Sequence, residues 1–76
     1  MQFIYKDNKQ IIVEIKKLML DCNISQRDLA KQLNITPQGL TKLFNKKNFS
    51  FEDAQKILQC FNYSLIVEFS ADTVTD

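Results

Sequence analysis

The sequence predicts a mainly α-helical fold of about four helices, with a short β-strand at each end. Three observations carry that prediction. Apolar residues recur at helical spacing through long stretches of the chain. An apolar residue followed by a hydroxyl residue, with a second apolar residue five positions after the first, occurs three times and marks three helix starts. The two end segments instead alternate with period two. With 76 residues, 45% of them hydrophobic and 25% charged, the chain makes one small folded domain.

The elements follow in order. "MQFIYK" alternates, with Phe3 and Tyr5 on one side, and reads as a strand over about residues 2–6. Asp7 is placed to cap a helix, with Gln10 three residues on as its reciprocal partner. Ile11, Ile15, Leu18 and Cys22, flanked by Ile12 and Met19, then form one apolar stripe, while Glu14, Lys16, Lys17 and Asp21 face outward. This first helix ends near Asn23. Ile24-Ser25 with Leu29, Ile35-Thr36 with Leu40, and Phe49-Ser50 with Ala54 are three hydrophobic staples. Ser25 and Ser50 also have Asp28 and Asp53 three residues on, in a capping-box arrangement.

Pro37 falls at the first helical position after the Thr36 cap, where a missing N–H costs nothing. Gly39, two residues further in, costs about 0.5–1 kcal/mol relative to alanine and needs a reason. In the last helix Phe51, Ala54, Ile57, Leu58 and Phe61 share a face, and Asn62 closes it in a left-handed conformation. "YSLIVEF" sets Tyr63, Leu65, Val67 and Phe69 against Ser64, Ile66 and Glu68, a strand over residues 63–69. "SADTVTD" reads as a loose tail.

Composition excludes several functions. The longest aliphatic runs are three residues, "IIV" and "LIV", too short to span a membrane. "MQFIYK" is too short for a signal peptide, so the cytoplasm is the expected location. There is no histidine, and Cys22 and Cys60 have no metal-like or redox-motif spacing. Both cysteines lie on apolar stripes and are expected to be buried. No catalytic constellation, cofactor or metal site is expected. Net charge is only +1, but residues 1–47 carry nine Lys/Arg against four Asp/Glu, and residues 48–76 one against five. A basic half beside an acidic half points to an anionic partner.

Within the basic half, "QRDLAKQL" and "PQGLTKLF" are joined only by "NIT". So short a link forces a sharp angle, filled by Leu29, Leu33, Ile35, Leu40 and Leu43. Ala30 is small where the second helix passes over the first. Asn34 takes the corner, where φ > 0 is required. With its caps and the polar loop behind it, "SQRDLAKQLNITPQGLTKLFNKKN" resembles the helix-turn-helix of the phage-repressor family of Cro/cI (XRE) type. The resemblance runs on through "NFSFEDAQKILQCFNYSLIVEF" to the small members with a C-terminal strand, and covers roughly residues 10–69. It departs from the family pattern in Asn34, where glycine is usual, and in lacking a clear fifth helix.

The resemblance implies a lambda-repressor-like bundle that binds double-stranded DNA and regulates transcription, expected here to be a repressor. By position it implies base contacts from Pro37, Gln38, Thr41 and Lys42, and backbone contacts from Gln26, Arg27, Thr36, Asn45, Lys46 and Lys47. Glutamine suits adenine and lysine suits guanine or phosphate. Arg27 has an equally good alternative in pairing with Asp28. Gly39 is then explained as leaving room for a close DNA wall.

Phe3, Tyr5, Leu65, Val67 and Phe69 are expected at a dimer interface. The end strands pair within one chain or with a second copy. The second is favoured because so small a core gains from it and because a two-fold protein matches a palindromic operator. The alternative is a protein-interaction module, such as an antitoxin or anti-regulator, that captures its partner with a strand edge.

Overall fold

A computed structural model describes residues 2–71. It contains four helices: α1 (Asn8–Asp21), α2 (Gln26–Gln32), α3 (Pro37–Phe44) and α4 (Phe51–Gln59). Helix α2 packs on α3, and α1 packs on α4. The core between them is entirely apolar: Ile11, Ile15, Leu18 and Met19 of α1 meet Leu29, Ala30, Leu40, Phe44, Phe49, Ala54, Ile57 and Phe61. Leu29, Leu40, Ala54 and Ile57 are wholly enclosed, and truncating such a leucine costs about 2–5 kcal/mol.

All four helix starts carry the expected caps. Asp7, Ser25, Thr36 and Ser50 each accept a backbone N–H from the third residue of their helix. Ser25 with Asp28 and Ser50 with Asp53 form complete capping boxes. Gln10 does not reciprocate toward Asp7. Its side-chain amide donates to Glu14 one turn on, at 3.1 Å.

Three helix ends share one device. Asn23, Asn34 and Asn62 have φ of 56°, 58° and 62°. After each of these, the next N–H reaches back to a carbonyl of the last helical turn: Ile24 to Met19, Ile35 to Ala30 and Tyr63 to Leu58. These are Schellman closures, with asparagine where glycine is commonest. Of the residues that follow, Ile24 packs against the core, whereas Tyr63 and Ile35, the latter expected to fill the angle between α2 and α3, are exposed.

The structure departs from the expectations at several other points. Residues 2–7 and 62–71 form no strand among the described residues. A strand exists through its ladder, and no backbone hydrogen bond joins these two segments. Instead the N-terminal segment lies on α4: the Tyr5 hydroxyl donates to Asn8 Oδ1 at 2.6 Å, Asn8 Nδ2 donates to the Phe49 carbonyl, and the Tyr5 ring meets Phe51 edge-on. Phe51, expected on the buried face, is exposed but for that contact. Cys22 is exposed, because the helix ends there and the chain turns away at Asn23. Cys60 is half-buried against the core. The expected loose tail is described only through Ala71; residues 72–76 lie outside the described residues.

Candidate nucleic-acid interface

Helix α3 is fixed at both ends and along its inner face. Thr36 Oγ1 accepts the Gly39 N–H at 3.0 Å, and Pro37 opens the helix with its φ already helical. Leu40 and Phe44 are buried on the inner side. Four residues remain on the outer side at i, i+3, i+4 and i+7: Gln38, Thr41, Lys42 and Asn45, all exposed. Gln38 to Asn45 spans about 10 Å at 1.5 Å per residue, the rise of about three base pairs. The face offers an amide, a hydroxyl, an ammonium and a second amide.

Thr41 is more constrained than its sequence position suggests. Its hydroxyl donates to the Pro37 carbonyl at 3.1 Å, a bond to the preceding turn. What it presents outward is an acceptor oxygen and a methyl group. That combination fits an exocyclic amino group or the thymine methyl.

Gly39 stands close to its own capping turn. A Cβ there would meet Thr36 Oγ1 at 3.3 Å and Ile35 Cβ at 3.6 Å. The nearest groups to an added side chain are thus those of the capping turn.

Among the expected backbone-contact residues, Gln26 and Arg27 are exposed at the start of α2, and Thr36 at the start of α3. Lys47 is exposed in the loop after α3. Lys46 already has a partner: its Nζ lies 3.1 Å from Asp53 Oδ2. That carboxylate also accepts the Ser50 N–H at 3.0 Å, so one group ties the exit of α3 to the start of α4. The Ser50 N–H first, and Lys46 with it, hold the Asp53 carboxyl below its ordinary value of 3.8, against partial burial. As an exposed pair the bridge itself adds little stability.

The expected interface residues are scattered differently. Leu65 is half-buried against the core, Tyr5 sits on Phe51, and Phe3 is exposed. Val67 is 54% exposed and Phe69 97%, so the apolar end of this segment has no cover among the described residues.

A residue absent from the sequence-based set lies beside α2 and α3. Lys16 of α1 extends over the Phe44 ring, 5.2 Å from its centroid. It also lines a surface groove with Met19, Leu20, Ile24, Ser25 and Gln26. Spacing along α1 marks Lys16 only as outward-facing; its neighbours come from α2 and α3.

No group of residues that could hold a metal ion occurs among the described residues, and no described helix is long and apolar enough to cross a membrane. The helix-turn-helix family model matches residues 15–67, which includes all four helices from the middle of α1 onward. A curated relative, the mitochondrial iron-sulfur clusters transporter ABCB7 of Oryzias latipes, is 27% identical over 66 residues. The match takes in 82% of this chain but 9% of that protein, so the chain spans a small part of the relative's length. No solved structure matches the chain.

Proposed function

This chain belongs to the helix-turn-helix family of Cro/cI type, and on that premise we propose that it is a sequence-specific regulator of transcription: a cytoplasmic, non-enzymatic repressor that binds a palindromic operator in double-stranded DNA as a dimer. The observation that carries the reading is the outer face of α3, where Gln38, Thr41, Lys42 and Asn45 stand exposed on a helix whose opposite side is locked into the core. Pro37, Gln38, Thr41 and Lys42 read base edges in the major groove. Gln26, Arg27, Thr36, Asn45, Lys46 and Lys47 hold the flanking phosphates. Base contacts set the sequence, and phosphate contacts set register and most of the affinity.

The dimer contact runs through the C-terminal segment, with Leu65, Val67 and Phe69, and includes Phe3 and Tyr5. The stretch from Tyr63 to Phe69 reads alike from both ends: aromatic, polar, aliphatic, Ile66, aliphatic, polar, aromatic. Two copies paired antiparallel about Ile66 would set Tyr63 against Phe69 and Leu65 against Val67. They would also set Glu68 against Ser64 instead of against another Glu68. Such a pairing supplies the ladder that each segment lacks alone. The interface is small, so operator DNA with two half-sites strengthens it.

Selection from a random duplex library tests this function. The expected product is a palindrome whose half-site centres lie about 10 bp apart, or a multiple of that. Absence of any enriched sequence would refute the reading and leave the helix pair as scaffold. The exposed segment at 63–69 would then be the place to look for a protein partner, as an antitoxin would use it.

A further inference from the structure

We propose that Lys16 is a DNA-backbone contact, forming with Gln26 a phosphate seat at the edge of the recognition helix; the assignment rests on the DNA-binding reading above. Lys16 and Lys17 are neighbours on α1 with different surroundings. Lys17 Nζ lies 3.4 Å from Glu14 Oε2 and is paired on the helix surface. Lys16 meets no carboxylate within ion-pair distance among the described residues. Its ammonium is drawn over the Phe44 ring, and Phe44 belongs to α3 with its side chain turned into the core.

Two consequences follow from that placement. A ring attracts a cation through its face without taking up directed N–H bonds, so the donors of Lys16 stay available. The stem is also held in one region, which lowers the entropy lost when a ligand arrives. Lys16 shares its groove with Gln26, whose amide is both donor and acceptor. Together they place an ammonium and an amide N–H beside α3, on elements other than the recognition helix. An oxyanion seated there fixes the depth and angle of α3 and carries no base information.

The adjacent lysine provides the control. Binding to one duplex is measured by fluorescence anisotropy between 50 and 200 mM salt for the wild type, Lys16→Gln, Lys17→Gln and Lys16→Arg. A phosphate contact contributes about 0.9 to the slope of log affinity against log salt. Lys16→Gln is expected to lose that much slope, with an equal affinity loss on operator and random duplex. Lys17→Gln is expected to keep the wild-type slope, and Lys16→Arg to restore it. Equal thermal midpoints for all four proteins confirm that the fold is intact, as expected for an exposed lysine. An unchanged slope in Lys16→Gln would overturn the assignment. So would equal losses in Lys16→Gln and Lys17→Gln, since a diffuse field does not distinguish neighbours. A wild type with no salt-sensitive binding would overturn the DNA reading, and this assignment with it.

Discussion

At the scale of the residue, two side chains invite direct measurement. Asn34 holds φ of 58° at the corner between α2 and α3, a conformation that costs an ordinary L-residue about 1–2 kcal/mol. Asn34→Ala is therefore expected to lower the urea midpoint by the equivalent of about 1 kcal/mol, while Asn34→Gly holds or raises it. Equal effects of the two substitutions would show that the corner is not strained. Asp53 titrates below its ordinary value because the Ser50 N–H and Lys46 favour its charged form. A depressed folded pKa contributes stability above the unfolded value, and that stability disappears as pH falls through the folded value. Asp53→Asn keeps an acceptor for Ser50 but cannot ionise. The thermal midpoint of wild type is expected to exceed that of Asp53→Asn at pH 6, with the gap closing as pH drops below 3.8.

At the scale of the element, what the sequence made legible was whatever local chemistry decides. Ser25, Thr36 and Ser50 cap because a short hydroxyl side chain reaches the third amide of its own helix. Asn34 and Asn62 close helices because they tolerate φ > 0. These features need no information from distant residues. The terminal strands do not form among the described residues of one chain, for the opposite reason. Alternation in "YSLIVEF" describes a face, but pairing requires a neighbouring backbone that this chain does not bring alongside. Lys16 escaped notice because its place depends on α1 crossing near Phe44, a long-range relation with no local signal. Cys22 and Phe51 misled because helical periodicity does not say where the cover ends. Within α3, Thr36→Ala is expected to lose about 1 kcal/mol of stability, freeing the Gly39 N–H. Gln38→Ala should leave stability alone and narrow the gap between operator and random-sequence affinity.

At the scale of the whole molecule, the proposed DNA-facing side carries α3 and the proposed dimerising end lies at residues 63–69. Ile66 is 84% exposed, so Ile66→Lys should not disturb the monomer fold. It would place two like charges together on the proposed two-fold axis. Sedimentation is expected to show a wild-type dimer at micromolar concentration and an Ile66→Lys monomer of unchanged thermal midpoint; a variant that remains dimeric would place the interface elsewhere. Whether α3 is a recognition helix is tested by anisotropy on random-sequence duplex across a salt series, with wild type and Lys42→Ala. Binding that weakens steeply with salt, and falls further in Lys42→Ala, is the predicted result. Binding that is absent even at low ionic strength, or indifferent to salt and to Lys42, would contradict it.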